Sequence, residues 1–557
     1  MSKQRKILWM EEVVMRWLLL AVLFSVCGVL FGDVIHLADG RKIEGKVVGE
    51  TEDAVWVEKR GGVRFKIPKE EIVEIEKKET EWERLEKEYR KRYEAAKGDA
   101  EKLFELAEWA RRKGMSRRAR DLLKKVLRLA PEHKGARKAL GYLKKDGKWV
   151  KRSQTPSEKP HSLSPARKKE LNKLIKRFFA QPQEREKVLE RLKQIDEIPL
   201  SAAKGFAQFA LKCAKEFGLK VKEGESRFGH PKYCGLIYVR VFQEAGHKGK
   251  LPLFVALHGG GRGVGHYSSA VRAWLGRVRV RLKNFIFLAP TVLRKEYAEW
   301  GGNPEEEAYV KEVIKAVKRT YNVDTDRVYL AGYSMGGYGT WHIGGHEADT
   351  FAGLVSGAGG MLILRHLGEP WGKGIIANLM HTPIAFAHGS SDRPAPVWSD
   401  RKANEILTKL AQKYRGCYKH IYIEVPGGHQ AAGAKLNQLL DWVFKFKRNP
   451  YPKQVIWEPK RKFNHYLWWL KVKNPKIGQR LEAKIEKNTI TIKTENIDKG
   501  FSVLLNEKLI DPKKKVRVVL NGKEVFNDYI TARVSAIVES VDEKVDERMW
   551  FWGRIDF

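Results

Sequence analysis

Apolar and polar positions along the chain change their period several times. An uncharged run, Trp17–Gly32, follows Lys3, Arg5, Lys6 and Arg16. Short alternating runs come next at Val34–Leu37, Lys42–Val48, Ala54–Val57, Val63–Ile67 and Ile72–Ile75, separated by Asp39-Gly40 and Gly61-Gly62. Period-two alternation between turn residues predicts strands, and so short a span predicts a compact barrel-like module over 33–78. From 79 to 150 the period becomes helical. Leu103, Leu106, Ala107 and Ala110 share one face, and Leu122, Leu123, Val126, Leu127 and Ala130 share another after Gly114. Pro131 ends that second helix. Residues 151–165 have the Ser/Pro composition of a linker. Amphipathic helices are predicted after it at Ala166–Ala180, Glu184–Ile195 and Ala202–Phe217, within a basic linker-and-helix region 151–218.

Between 219 and 449 the strands read as continuous apolar runs. They are Leu253–Leu257, Phe285–Ala289, Val328–Ala331, Leu354–Gly357, Ile384–Ala387 and Ile421–Val425. Helices are predicted between them at Glu305–Tyr321, Gly336–Gly345, Asp400–Tyr414 and Gly433–Phe446. Apolar strands alternating with helices predict an α/β domain, a mostly parallel sheet covered on both faces. Residues 450–557 return to β patterning, with Asn521-Gly522 as a two-residue hairpin turn, and predict a C-terminal β domain. Trp468-Trp469 and Trp550-Phe551-Trp552 there are either core or sugar-stacking residues.

Charge adds a feature that periodicity does not show. The 557 residues carry a net charge of +39, and residues 111–180 alone hold 24 Lys/Arg against 5 Asp/Glu. A nucleic-acid partner is not expected, because no nucleic-acid motif accompanies the block. An anionic membrane surface or an acidic envelope polysaccharide fits it, as does a merely solvated charged face. Cys27, Cys213, Cys234 and Cys417 are too few and too dispersed for a disulfide scaffold or a thiolate zinc site, and whether Cys213 pairs with Cys234 is left open. No metal or nucleotide motif occurs, so no metal and no cofactor is expected. The basic flank and the length of 17–32 predict a signal peptide over 1–32, or else a membrane anchor, and place the rest of the chain outside the cytoplasm.

Three pieces carry chemistry. Gly332-Tyr333-Ser334-Met335-Gly336 follows an apolar run and precedes a helical one, the setting of a nucleophile elbow with Ser334 at its tip. His258-Gly259-Gly260-Gly261 ends an earlier run. An oxyanion needs preorganised N–H donors, and the backbone N–H groups of Gly260 and Met335 are the candidates, with His258 positioning the turn. A serine needs a base, and the base needs a carboxylate to orient it. Asp392 and His429 each lie just past an apolar run, at the sheet edge that carries the elbow. Their rivals are Asp400 for the acid, read instead as a helix cap, and His388 or His420 for the base.

The stretch Val323–Leu330 running into Gly-Tyr-Ser-Met-Gly-Gly-Tyr-Gly-Thr-Trp341, with the His-Gly-Gly-Gly turn, His-Gly-Ser-Ser-Asp392 and Gly-Gly-His429, resembles the α/β-hydrolase superfamily. The resemblance is strongest to secreted esterases of the polyhydroxybutyrate depolymerase and feruloyl esterase type, and extends to the hydrolase domain of prolyl oligopeptidases. It implies Ser334 as nucleophile, Asp392 as acid and His429 as base, an acyl-enzyme intermediate on an ester substrate, and no cofactor. It covers 219–449 and does not choose among ester substrates. A prolyl-oligopeptidase-type peptidase is the alternative within the superfamily, although too little chain lies upstream for a propeller. A non-catalytic envelope-binding protein with a relic hydrolase domain is the alternative outside it. The 79–150 helices resemble one degenerate tetratricopeptide-type repeat.

Overall fold

The structure is a computed structural model, and it describes residues 33–39, 42–50, 53–58, 64–76, 81–113, 115–140, 142–145, 148–151, 163–260, 265–293, 300, 304–361 and 375–557. The expected signal or anchor segment, Gly261 and most of the 151–165 linker lie outside these residues. The chain divides into two compact units, Met1–Ser153 and Gln154–Phe557.

In the first unit the predicted strands form an antiparallel five-stranded sheet from Asp33–Leu37, Lys42–Glu50, Ala54–Glu58, Arg64–Pro68 and Ile72–Glu76. The last strand pairs with the first, which lies between it and the second. Ile35, Leu37, Val55, Val57 and Ile67 bury the shared face. The helices Glu81–Ala96, Ala100–Arg112 and Ser116–Leu129 pack through Leu103, Leu106, Ala110, Leu122 and Val126, the positions that the period selected. Asp99 caps the second of them, accepting from the N–H groups of Glu101 and Lys102. The stretch expected to stay helical to 150 ends instead in a hairpin, Tyr142–Lys145 with Lys148–Lys151. Asp146-Gly147 between these strands is a two-residue turn sequence, and it outweighs the helical pattern.

The second unit is built on a mixed sheet. Its strands are β1 (Gly224–Arg227), β2 (Leu236–Phe242), β3 (Leu251–Leu257), β4 (Phe285–Pro290), β5 (Val323–Tyr333), β6 (Gly353–Gly357), β7 (Ile384–Gly389) and β8 (His420–Val425). The spatial order is β8-β7-β6-β5-β3-β4-β2-β1. From β4 through β8 all neighbours are parallel, and β2 runs antiparallel to both β4 and β1. The main helices are α1 (Pro304–Thr320), α2 (Met335–His346), α3 (Trp398–Lys413) and α4 (Leu436–Val443). This order and these directions are the α/β-hydrolase fold. Every residue of β3, β4, β6 and β7 is buried, which is why those strands are unbroken apolar runs.

The helices Pro165–Ala180, Arg185–Ile195 and Leu200–Phe217 and the chain beyond 449 share one core with this sheet. The C-terminal strands form a five-stranded and a four-stranded sheet. Trp468, Trp469, Phe551 and Trp552 are all buried there, so these aromatics are core rather than a sugar-stacking surface. Cys213 is buried, Cys234 is exposed, and neither is in a disulfide. No helix among the described residues is long and apolar enough to cross a membrane.

Candidate active site

β5 runs straight into α2 through Ser334, which takes φ 56° and ψ −121°. A side chain rarely adopts this conformation. Here the tight turn between a buried strand and a buried helix imposes it, and the chain crowds itself to do so. A Cβ at Gly332 would lie 2.0 Å from the carbonyl oxygen of Gly336, and one at Gly336 would lie 2.4 Å from that of Leu257. Both glycines are therefore steric requirements of the elbow. Met335 opens α2, so its N–H has no acceptor within the helix and lies at the helix's positive end.

The turn after β3 abuts the elbow. A Cβ at Gly259 would sit 3.0 Å from the Tyr333 carbonyl oxygen and 3.6 Å from Ser334 Cβ, and Gly260 adopts φ 124°. His258 is buried behind this turn. Its Nδ1 donates to the Gly259 carbonyl at 2.9 Å, and its Nε2 accepts the Val292 N–H at 3.2 Å. Trp300 Nε1 donates to the His258 carbonyl at 2.9 Å. Burial pulls the His258 imidazole down to about 4, so it is a neutral pin for the turn and takes no part in proton transfer.

Asp392 and His429 lie in the loops after β7 and β8. Backbone bonds carry the pairing of those strands past their ends, from Ser390 N–H to the Val425 carbonyl at 2.8 Å and from Ser391 N–H to the Gly427 carbonyl at 2.9 Å. The two loops thus approach as a pair. His429 Nδ1 is 2.7 Å from Asp392 Oδ2, and His429 Nε2 is 2.9 Å from Ser334 Oγ. The three residues read from the sequence form one hydrogen-bonded line. Asp392 Oδ1 also accepts the Ala395 N–H at 2.9 Å. Tyr333, the residue before Ser334, donates its hydroxyl to the His429 carbonyl at 2.6 Å, and burial pushes that hydroxyl up to about 12. Its bond to His429 was not foreseen, although it stands inside the Gly332–Gly336 motif.

The rivals have other places. His420 opens β8 and bonds the Tyr418 carbonyl, at the far end of the strand from His429. Asp400 does not cap its helix. α3 starts after Val397, which leaves Asp400 in the first turn with its side chain turned inward. There its Oδ2 meets His388 Nδ1 at 2.7 Å, with both side chains fully buried. Burial pushes the Asp400 carboxyl up to about 6, against the pull of His388. Burial works against charge on His388 as well, but the Asp400 hydrogen bond and charge outweigh it and raise the imidazole above its ordinary value. His388 Nε2 lies 2.6 Å from the Ala395 carbonyl and 3.2 Å from Asp392 Oδ2.

No protein-family model matches the chain. A stretch of 104 residues is 31% identical to the bifunctional acetylxylan esterase/xylanase of Neocallimastix patriciarum, covering 19% of this chain and 12% of that relative. The chain thus spans a small part of the length of the curated relative that it matches. Among solved structures, a thermostable esterase is 24% identical over 40% of this chain and 63% of its own, with a TM-score of 0.33. A ferulic acid esterase from Anaeromyces mucronatus is 18% identical over 40% of this chain and 90% of its own, with a TM-score of 0.31. An S-formylglutathione hydrolase from Staphylococcus aureus is 17% identical over 41% of this chain and 100% of its own, also with a TM-score of 0.31.

Proposed function

We propose that this chain, an α/β-hydrolase by its sheet, is a serine hydrolase that cleaves carboxylic esters through a covalent acyl-enzyme. The observation that carries the reading is the line Asp392–His429–Ser334, with contacts of 2.7 and 2.9 Å. Ser334 Oγ attacks the ester carbonyl while His429 Nε2 takes its proton. Asp392 accepts from Nδ1 and stabilises the imidazolium that forms. The oxyanion is received by the N–H groups of Met335 and Gly260, each donor contributing about 3 kcal/mol. His429 then gives its proton to the departing alkoxide. Water enters, His429 takes a proton from it, and the hydroxide attacks the acyl carbon. The second tetrahedral intermediate collapses, the proton returns to Ser334 Oγ, and the carboxylic acid leaves.

Similarity to an acetylxylan esterase supports esters carried on polysaccharide as the substrate class and an exported enzyme as the setting. The basic 111–180 block then holds the enzyme near an acidic envelope polymer or an anionic lipid surface.

A fluorophosphonate probe tests the assignment directly. The wild-type chain labels and turns over p-nitrophenyl acetate, and Ser334→Ala does neither. Turnover of acetylated or feruloylated substrates should exceed that of Pro-linked peptide amides. The opposite preference would make the chain a peptidase, and labelling that survives in Ser334→Ala would end the proposal.

A further inference from the structure

Behind the line of Ser334, His429 and Asp392 lies a second carboxylate–imidazole pair. His388 stands at the end of β7 and Asp400 in the first turn of α3, so both come from rigid elements, whereas Asp392 sits in a loop. We infer that Asp400 and His388 are positioning residues, a fully buried pair that holds the Asp392 carboxylate in line for His429. The inference rests on the triad reading above.

The hydrogen-bond roles follow from the neighbours. His388 Nε2 faces the Ala395 carbonyl oxygen at 2.6 Å and Asp392 Oδ2 at 3.2 Å. The Ala395 carbonyl accepts a hydrogen bond, so Nε2 must carry a proton, and this polarised N–H edge stands against the Asp392 carboxylate as a charge contact. His388 Nδ1 faces Asp400 Oδ2 at 2.7 Å. The second proton of the pair lies on that contact, on Nδ1 or on the carboxyl. In either position Nε2 remains a donor to the Ala395 carbonyl and keeps its N–H edge beside Asp392. Asp392 is thereby gripped on both oxygens. Oδ1 takes the Ala395 N–H at 2.9 Å, and Oδ2 takes His429 Nδ1–H at 2.7 Å with the His388 N–H edge in charge contact 3.2 Å away.

Two functions follow. The grip fixes the plane of the carboxylate in a loop that has no helix or strand of its own. It also leaves the negative charge on Asp392. Asp400, His388 and their shared proton sum to a neutral unit, so the buried charge next to His429 belongs to Asp392. That charge is what stabilises the imidazolium during acyl transfer. The carbonyl of Ala395 and the N–H of the same residue tie the imidazole and the carboxylate to one peptide segment, which sets their spacing.

The test uses the full-length chain with p-nitrophenyl acetate and two variants. His388→Phe removes the donor and keeps a ring in the space, leaving Asp400 to take up a proton and stay neutral. It is expected to lower kcat about 10- to 100-fold, the scale of losing the Ala395 hydrogen bond and the charge contact that hold a charged group in place, with KM within about twofold of wild type. His388→Gln keeps an N–H near the Nε2 position and is expected to recover kcat to within about fivefold of wild type. The inference is overturned if a His388→Phe protein that melts like wild type keeps kcat within about threefold. It is equally overturned if the Phe and Gln variants melt like wild type and lose activity to the same degree, which would make His388 a space-filler. Should the variants not fold, 15N-histidine spectra of the wild-type chain decide. His388 Nε2 must be protonated at neutral and mildly alkaline pH, and an unprotonated Nε2 overturns the pairing. Wild-type turnover that persists in Ser334→Ala would instead sink the triad reading, while the histidine spectra still report on the pair.

Discussion

At Ser334 one hydroxyl carries the proposed chemistry, and the partners around it set what each substitution does. Ser334→Ala removes the nucleophile and should lower kcat by about 10⁶ while leaving circular dichroism unchanged, because a nucleophile and its base act as one unit. Tyr333→Phe is gentler. It deletes the bond to the His429 carbonyl, and a neutral hydrogen bond of about 1 kcal/mol corresponds to a fall in kcat of about three- to tenfold with a near-normal melting temperature. Much of this neighbourhood was legible in the chain, because each reactive residue follows an apolar run and the sheet collects the ends of those runs on one edge. Asp400 was not legible. An acidic residue near a helix start has the sequence of a cap, and only the start of α3 after Val397 shows that it faces the core and His388.

Among elements, legibility followed burial. β3, β4, β6 and β7 are wholly buried and announced themselves as apolar runs. β1 and β2 did not. β1 is the polar tetrapeptide Gly224–Arg227 at the sheet edge, and β2 beside it alternates buried Ile237 and Val239 with half-buried Tyr238 and exposed Arg240. Local turn chemistry was read correctly at Asn521-Gly522, which joins the strands Val516–Leu520 and Lys523–Asp528 with φ of 49° and 83° at the two turn residues. Nothing lies within 4 Å of a Cβ built on Gly522. Gly522→Ala therefore has a backbone cost alone, and thermal or denaturant unfolding should find it less stable by about 1–2 kcal/mol. At the elbow the reasoning reverses. Gly336→Ala drives a methyl into the Leu257 carbonyl, a backbone atom that cannot swing aside, so the loss should be of both activity and soluble protein.

Over the whole second unit, the sheet and the C-terminal region are joined through buried charge as well as apolar contact. Arg448 bonds Asp326 at 2.9 Å and Asp546 at 2.7 Å, and Asp546 also accepts the Thr325 hydroxyl at 2.9 Å. Arg461 and His346 both hold Glu307, at 2.8 and 2.7 Å. Arg448→Met takes the shared buried cation from Asp326 and Asp546, leaving Arg548 on the first and Lys318 near the second, and equilibrium unfolding should still show a loss of about 3 kcal/mol. Acid should do similar damage. Burial pushes Asp546 and Glu307 up, but Arg448 and Lys318 for the first, and His346 and Arg461 for the second, outweigh it and hold both down at about 2. Unfolded carboxyls titrate at about 4. Acids lowered in the folded state stabilise it above that value and lose this contribution as pH falls toward 2. A melting temperature that drops steeply between about pH 4 and pH 2 is the expected result. Stopping the chain at 449 should give insoluble protein, whereas residues 154–557 should fold and hydrolyse p-nitrophenyl acetate without the first unit.

The Asp326–Arg448–Asp546 contact also has a meaning in time. Ribosomes add about 5–20 residues per second, so Asp546 leaves the tunnel about 5–20 seconds after Arg448. During that interval the sheet has all eight of its strands but holds an arginine and an aspartate whose third partner has not yet been made. A nascent chain in this condition exposes the surface that helix Val534–Lys544 and the C-terminal strands will cover. The line of Ser334, His429 and Asp392 can be assembled from residues up to His429, yet its scaffold waits for a segment more than a hundred positions later. Pulse-labelled chains arrested before residue 546 should remain protease-sensitive, and those released past it should become resistant together with the sheet.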